Sequence, residues 1–394
     1  MFTISSCEVC DGSDLVPVMN LGAQPMCDDL VPIGNDARVM KYPLELLGCL
    51  RCQTIHQKYQ VEKQLLFPRT YHYRAAMTQD VLAGMRELAE LAMRICGDLN
   101  DKIVLDVGCN DGSLLGIFKG KGARVVGIEP TAAANDAWPR VDDVIEDFFG
   151  ASSVETYLSR HPKPDIITFT NVFAHIENLN EVIANLLKLT KPETRIVIEN
   201  HYLGAVVEKR QFDTFYHEHP RTYGFRSFEH IARKLGMAIE HVDFPNRYNG
   251  NIRVVLGKSA AADKPRVQEP DFLSTFGEID HYIRQYKLDL QDKLGRLVAQ
   301  YGPLPAKAFP GRASILLNYF EVNERHLSAT YERSASPKVG YYIPGTRIEI
   351  RDEAEFFARG TSPVLINLAW HISREIESYV RGKGYRGEIL ELYS

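Results

Sequence analysis

The sequence predicts an α/β protein in which a small metal-binding module precedes a doubly wound domain and a smaller α/β domain follows. Two Cys-x-x-Cys pairs lie within the first 52 residues. An apolar strand, Ile103–Val107, leads through a glycine-containing turn into an apolar helix. Beyond residue 266, helical and extended segments alternate. We therefore expect three domains, spanning residues 1–75, 76–265 and 266–394.

The N-terminal module is predicted from four paired cysteines: Cys7, Cys10, Cys49 and Cys52. Four thiolates close a tetrahedral zinc site and leave no position for a substrate, so we interpret the metal as structural Zn²⁺. Isolated buried thiols and a catalytic zinc are the alternatives, and Cys27 or His56 are candidate substitute ligands. Because a short module has little core, the metal should supply its folding energy.

Bulk composition narrows the function class. No apolar run reaches the roughly 18 residues that a membrane span needs, and the first residues lack a signal-peptide pattern. A net charge of −5 disfavours nucleic acid, which needs concentrated Lys and Arg. Seven cysteines, four of them in Cys-x-x-Cys pairs, fit a reducing compartment. We expect a cytoplasmic protein with no nucleic-acid and no membrane partner.

The second domain is predicted from a strand, turn and helix. Apolar residues recur at helical spacing over residues 78–95, and strand 103–107, the turn Gly108–Gly112 and helix 113–119 follow. Glu129 ends the next strand about 20 residues after the turn, where a carboxylate can accept ribose hydroxyls. The dinucleotide pattern Gly-x-Gly-x-x-Gly is absent, which argues against NAD. Further strands are expected at 165–169 and 194–200.

This series resembles the class I (Rossmann-like) methyltransferases that use S-adenosylmethionine. The resemblance implies that Asp106 and Gly108 lie beside the methionine portion, that Glu129 holds the ribose, and that Asp147 and Phe148 flank adenine. The remaining residues implied at the cofactor are Tyr71, Asn110, Asp111, Gly112, Pro130, Phe149 and Asn171. Alternatives stay open: Asp106 as a cap or turn residue without a ligand, Glu129 as a solvated strand end, and Asn110 and Asp111 as ordinary turn residues.

The densest polar and aromatic stretch is residues 212–223, which contains Tyr216-His217-Glu218-His219. Surface segments are seldom this aromatic and cores are seldom this charged, so the mixture indicates a lined pocket. A structural His/Glu cluster is the plainer alternative. A second metal site is disfavoured because consecutive side chains seldom point at one ion and no His-Glu-x-x-His spacing appears.

Together, the cysteine module, the turn and the Tyr-x-Glu-His element resemble the sugar C-methyltransferases of deoxysugar biosynthesis. Residues 249–253, 314–319 and 337–346 match further motifs of that family, so the likeness covers nearly the whole chain. One departure is a shortened turn at residues 308–313. The resemblance implies transfer of a methyl group from S-adenosylmethionine to carbon 3 of a TDP-, GDP- or CDP-linked 4-keto-6-deoxyhexose, by a monomer or weak homo-oligomer.

The resemblance also implies roles for individual residues. His219 would be the base, with Glu218 orienting it or binding the sugar. The other catalytic candidates are Tyr216, Tyr73 and His175; the substrate-binding candidates are Asn249, Arg253, Arg312 and Lys338. Ordinary aromatic packing for Tyr71 and Tyr73, a satisfied structural imidazole for His175, and solvated charges for Arg312 and Lys338 are the alternatives.

Other functions remain possible from the sequence. An O- or N-methyltransferase of another small metabolite is the nearest alternative. A zinc-ribbon RNA methyltransferase is disfavoured by the acidic balance, and a non-catalytic scaffold by the intact set of Asp106, Gly108 and Glu129.

Overall fold

The computed structural model describes residues 1–69, 71, 74–77, 79–258, 265–358 and 362–394. The chain divides into two compact units. Unit 1 comprises Met1–Pro17, Leu47–Lys209 and His219–Ser274, and unit 2 comprises Val18–Leu46, Arg210–Glu218 and Thr275–Ser394. This division differs from three consecutive domains, because segments 18–46 and 210–218 belong with the C-terminal third. No helix among the described residues is long and apolar enough to span a membrane.

The secondary structure alternates between strands and helices along most of the chain. The strands are β1 Phe2–Thr3, β2 Leu15–Pro25, β3 Val31–Pro32, β4 Lys41–Cys49, β5 Ile55–Gln57, β6 Tyr59–Gln60, β7 Ile103–Val107, β8 Arg124–Ile128, β9 Asp143–Ile145, β10 Ile166–Thr170, β11 Arg195–His201, β12 Arg221–Thr222, β13 Ala238–Asp243, β14 Asn251–Gly257, β15 Leu304–Lys307, β16 Leu327–Glu332, β17 Tyr341–Tyr342, β18 Glu349–Asp352, β19 Val364–Asn367 and β20 Glu388–Glu391. The α-helices are α1 Lys63–Leu66, α2 Gln79–Cys96, α3 Ser113–Lys119, α4 Ala133–Ala137, α5 Ala151–Arg160, α6 Leu179–Leu189, α7 Leu203–Glu208, α8 Phe225–Lys234, α9 Phe276–Tyr301, α10 Ala313–Tyr319, α11 Glu353–Ala358 and α12 Ser373–Gly382.

The main sheet of unit 1 has the order β13-β14-β11-β10-β7-β8-β9. Strands β11, β10, β7, β8 and β9 are parallel, whereas β14 and β13 are antiparallel at one edge. Every residue of β7 is buried, as expected for a central strand covered on both faces. Ligands of such sheets bind at the carboxyl ends of the strands, where Asp106, Glu129, Asn171 and His201 lie in or just beyond their strands.

The cysteine module contributes small antiparallel pairings to unit 1. Strand β1 pairs with β6, and β5 pairs with β12, so that Arg221 lies opposite His56. Strands β2 and β4 cross the division of the chain, because each has one end in unit 1 and the other in unit 2. The cysteine turns therefore join directly to strands that continue into the other unit.

The sheet of unit 2 has the order β20-β19-β15-β16-β18-β17-β3. Its strands β20, β19, β15, β16 and β18 are parallel. The expected α/β character is confirmed, because helical and extended segments alternate beyond residue 266 as the sequence predicts. Strand β15 was not expected because it contains Pro305, which lacks a ladder donor; the register shifts between Leu304 and Pro305.

Candidate active site

The four predicted zinc ligands come together in unit 1. Their sulfur atoms all lie within 4.8 Å of one another, which suits a tetrahedral ion with Zn–S bonds of about 2.3 Å. The Cys7–Cys52 and Cys10–Cys49 sulfur atoms are 3.5 Å apart, beyond disulfide length. The donor set therefore fits structural zinc.

Neither substitute ligand considered from the sequence, His56 or Cys27, belongs to the cluster of four sulfur donors. The ring of His56 contacts Cys7 Sγ at 3.3 Å through Nε2 and supports the sulfur cluster from outside. Cys27 belongs to unit 2, where its Sγ accepts a hydrogen bond from Ser314 Oγ at 3.3 Å.

The turn after β7 has the close-packed backbone that the sequence predicts. Gly108 has a φ of +70°, and a Cβ there would lie 2.4 Å from Val172 Cγ2. Only glycine fits without displacing Val172. Asp106, at 3% exposure, accepts a 2.6 Å hydrogen bond from Thr168. Burial, with Glu129 nearby, raises the pKa of Asp106 to about 7.

The protonation of Asp106 bears on whether a cofactor fits. A carboxyl group with a raised pKa lacks an effective cationic partner, and a positively charged amino group would supply one. S-adenosylmethionine carries such a group on its methionine portion, so the turn and Asp106 fit this cofactor.

The neighbouring turn residues are engaged by the protein itself. Asp111 Oδ1 accepts from the Ser113 backbone and hydroxyl at 3.1 and 2.6 Å, and its Oδ2 accepts from Ala76 N at 2.8 Å. Asn110, at a φ of +51°, accepts from Ala75 N at 3.0 Å. These contacts revise the cofactor role predicted for Asp111: its two oxygens fix the start of α3 and the segment at Ala76. Gly112, also at positive φ, packs against Ala137.

Glu129 is buried rather than solvated, at 5% exposure. Its Oε1 accepts from the Thr131 backbone and hydroxyl at 2.9 and 2.5 Å, and its Oε2 accepts from Asn110 N at 3.0 Å. Burial raises its pKa. Three of the roughly four acceptor positions of the carboxylate are thus used, two on Oε1 and one on Oε2, so Oε2 keeps capacity for one ribose hydroxyl. Pro130 follows, half-buried.

The predicted adenine contacts separate into two environments. Asp147 accepts from Phe148 N at 2.8 Å, and the half-buried Phe148 ring lies 5.2 Å from Lys63 Nζ. Phe149 instead faces the core, edge-on to Phe169 at 5.7 Å, so we no longer assign it to the cofactor.

Five rings of unit 1 form consecutive contacts that we name the ring row: Phe67, His175, His219, His201 and Tyr248. Consecutive centroids lie 5.3, 4.8, 5.4 and 5.7 Å apart. His175 stacks on Phe67, and burial lowers its pKa to about 4. His219 is 6% exposed, and its carbonyl accepts from Gln57 at 2.8 Å. The structure thus brings His175 and His219 together.

Three members of the ring row, Phe67, His201 and Tyr248, were not predicted. His201 ends β11, and Tyr248 has a φ of +49°. A signal for His201 was present, because it closes an apolar parallel strand at the edge where ligands bind. Tyr71 packs edge-on to Phe67 at 5.6 Å, whereas Tyr73 lies outside the described residues.

Arg253 has a structural partner in place of a ligand. Glu199, fully buried on β11, accepts from Arg253 Nε at 2.7 Å, Arg247 Nη1 at 3.0 Å and Asn251 Nδ2 at 2.9 Å. Asn251 also donates to Asn171 at 3.1 Å. A buried, compensated guanidinium at 2% exposure does not favour the substrate contact predicted for Arg253.

Asn249 is likewise engaged within unit 1. Its carbonyl and side-chain oxygens accept from Lys209 Nζ at 2.7 and 2.9 Å. It stands between Tyr248 and Gly250, and all three have positive φ. Backbone held this way for non-glycine residues is costly, and the lysine contact stabilises it.

Glu218 lies in unit 2, since the division of the chain falls between it and His219. Its Oε1 accepts from Cys27 N at 3.2 Å, and Oε2 is buried without a hydrogen-bond partner among the described residues. Burial, with Asp28 nearby, raises the pKa of Glu218 to about 8. Glu218 is thus a neutral acid near pH 7. The pKa of Tyr216 is raised by burial and by the neighbouring Cys27 and Glu218.

The two basic residues predicted to bind phosphate differ. Arg312 is 8% exposed and donates two hydrogen bonds to the Asp213 carboxylate, at 2.7 and 2.6 Å. The Trp370 indole donates to the same carboxylate at 2.9 Å. Its charge is already compensated, so we revise its role to a structural one. Lys338 pairs with Asp28 at 3.1 Å and lies 5.0 Å from the Phe309 ring. One carboxylate thus pairs with Lys338, and the phosphate contact of this lysine stays a prediction.

Three family models match in succession: a zinc binding domain over residues 7–67, a methyltransferase domain over 74–242, and a C-methyltransferase C-terminal domain over 252–387. The C-methyltransferase NovU of Streptomyces niveus is 26% identical over 390 residues, covering 95% of this chain and 91% of NovU.

Two solved structures match part of the chain. Magnesium protoporphyrin IX methyltransferase of Synechocystis PCC 6803, solved with bound S-adenosylmethionine, is 16% identical with a TM-score of 0.35, covering 46% of this chain and 80% of that one. The 1,6-didemethyltoxoflavin-N1-methyltransferase of Burkholderia thailandensis gives the same identity, TM-score and coverage.

Proposed function

Because the chain belongs to the S-adenosylmethionine-dependent C-methyltransferases that carry a zinc-binding domain, we propose that it methylates carbon 3 of a nucleotide-linked 4-keto-6-deoxyhexose. The main support is the ring row. In it His219 contacts His201, which lies at the carboxyl end of β11, and Asp106 and Glu129 lie at the carboxyl ends of other strands of the same sheet. A base is what a C–H bond beside a ketone requires, because its loss gives an enolate. The name of NovU also supports C-methylation.

The proposal gives each residue a chemical task. A ring nitrogen of His219 accepts the proton from carbon 3. Its neighbour His175, with a pKa of about 4, stays neutral and adds no opposing charge. Glu218 of unit 2, protonated near pH 7, can donate a hydrogen bond, as its predicted contact with a sugar oxygen requires. Asp106 and Glu129 would hold S-adenosylmethionine, which supplies an electrophilic sulfonium methyl group when bound.

Substrate identity is the finer part of the proposal. Lys338 supplies a cation in unit 2 for a diphosphate, and the carrier nucleotide is TDP, GDP or CDP. The test incubates the protein with S-adenosylmethionine and a panel of these 4-keto-6-deoxysugars. We expect a mass gain of one methylene in one member, with the new methyl carbon bonded to carbon 3 by NMR. A methyl on oxygen or nitrogen would contradict the proposal and favour the alternative metabolite methyltransferase.

The base is tested separately from methyl transfer. In D₂O with S-adenosylhomocysteine, we expect deuterium to enter carbon 3, because enolate formation needs no methyl donor. His219→Asn should lose about 10²- to 10⁴-fold of this exchange. His281→Asn, an exposed histidine of α9, is the matched control. Wild-type exchange rates in His219→Asn would remove His219 as the base.

A further inference from the structure

His201 occupies a distinctive place beside the proposed base. It ends β11, is half-buried, and its ring centroid lies 5.4 Å from that of His219 and 5.7 Å from that of Tyr248. Residues 201 and 219 both belong to unit 1. His219 therefore contacts one imidazole from the segment after β10, His175, and a second from β11.

Adjacent imidazoles cannot all carry charge. Two positive charges 5.4 Å apart, at an effective dielectric constant of about 20, lower each other's pKa by about two units. A base that is to become an imidazolium therefore needs neutral neighbours. Burial already keeps His175 neutral, with a pKa of about 4.

Among the described residues, the turn before β14 and β11 itself carry titratable or charged groups close to His201 in the chain or in contact with it. Tyr248 contacts it from the turn before β14, and the Arg247 guanidinium lies 5.7 Å from the Tyr248 ring. Glu199 on β11 is already bound by Arg247 and Arg253. The Glu199 carboxylate is thus engaged by guanidinium groups.

We infer that His201 is a positioning residue for His219, whose ring it supports while staying neutral so that the base alone takes up the proton. This inference rests on the proposed function. It assigns His201 ring contact and charge neutrality and requires no proton transfer through His201. A phenylalanine, which keeps a neutral ring, should therefore replace it far better than an alanine or a lysine.

The experiment compares His201→Ala, His201→Phe and His201→Lys with the wild type. We expect His201→Ala to lower kcat at least 10-fold with the dissociation constant of S-adenosylmethionine unchanged, and His201→Phe to recover at least half of the wild-type kcat. His201→Lys should move the acid limb of the pH profile of kcat/KM to lower pH by about two units. Equal losses in the alanine and phenylalanine variants, or an unmoved profile in the lysine variant, would overturn the inference.

A second measurement separates this inference from the proposed function. NMR titration of ¹³Cε1-labelled histidine reports the pKa of His219 directly, and His219→Asn identifies its signal. The His219 pKa should be about two units lower in His201→Lys than in His201→Phe. A wild type that makes no methylated sugar would refute the function, whereas an unchanged His219 pKa would refute the inference whether or not product forms.

Discussion

Glu218 provides a test of how burial controls protonation in unit 2. At 4% exposure, its carboxyl group has a pKa raised to about 8, against 4.5 in an unstructured chain. Below about pH 4.5 the group is protonated in both the folded and the unfolded states. Above that pH the unfolded chain releases its proton first, so the stability that the neutral form gives is lost as pH rises towards 8. Glu218→Gln, which is neutral at every pH, should not show this loss.

The expected magnitude follows from the shift. Each pKa unit corresponds to about 1.4 kcal/mol, so the wild type should lose up to about 3 kcal/mol relative to Glu218→Gln between pH 5.5 and 8.5. The value of about 3 kcal/mol assumes that neither water nor a structural rearrangement stabilises the buried carboxylate. Local opening of the structure reduces it, and we expect roughly 2 kcal/mol.

Urea unfolding monitored by tryptophan fluorescence measures the effect. The chain has two tryptophans, so Trp138→Phe leaves Trp370, a residue of unit 2, as the only indole. In this background the free energies of unfolding with and without the Glu218→Gln substitution are compared across pH. Glu155→Gln, at an exposed position of α5, is the matched control and should show a constant difference. If the Glu218→Gln difference were also constant from pH 5.5 to 8.5, the neutral carboxyl group would be refuted.

Three further predictions concern unit 1. Cys49→Ser should abolish stoichiometric zinc binding and unfold the cysteine module by circular dichroism, whereas Cys96→Ser, at the end of α2, should retain zinc; retained zinc in the first variant would contradict a four-sulfur site. Gly108→Ala should destabilise the protein by at least about 2 kcal/mol in urea, and adding Val172→Ala should recover part of the loss; no recovery would show that the contact with Val172 is unimportant. Binding of S-adenosylmethionine at pH 7 should release about half a proton from Asp106, measured by calorimetry in buffers of different ionisation enthalpy, and Asp106→Asn should release none; equal release would assign the proton to another group.

Much of unit 1 could be predicted from local sequence patterns. Strands β7 and β8 occur at the predicted residues, because an apolar run between polar residues marks a buried parallel strand. The cysteine cluster and Gly108 were also predictable, since a metal turn and a close backbone approach need particular residues at fixed short spacing. Strand β15 was missed because proline lacks the N–H group that a strand donates to its neighbour, so Pro305 indicates the end of a strand. In the structure the register of β15 with β16 shifts between Leu304 and Pro305.

The site was harder to predict where the deciding partner is distant in sequence. Arg253 and Arg312 have the composition of ligand-binding residues, but Glu199 and Asp213 compensate their charges. Neither pairing has a local signal, because the partners of each pair are 54 and 99 residues apart. His201 had a local signal in its place at the end of β11, but its contact with His219 depends on the path of the chain between them.

The discontinuous composition of unit 2 affects how the chain is made. Strand β3, at Val31–Pro32, pairs with β17, at Tyr341–Tyr342, so the first of them leaves the ribosome some 300 residues before its partner. At synthesis rates of about 5–20 residues per second, this edge waits roughly 15–60 s without its neighbour. Nascent chains halted in that interval expose β3 without its β17 partner to chaperones and proteases. A gene divided at Thr275 would encode two fragments that each lack part of unit 2.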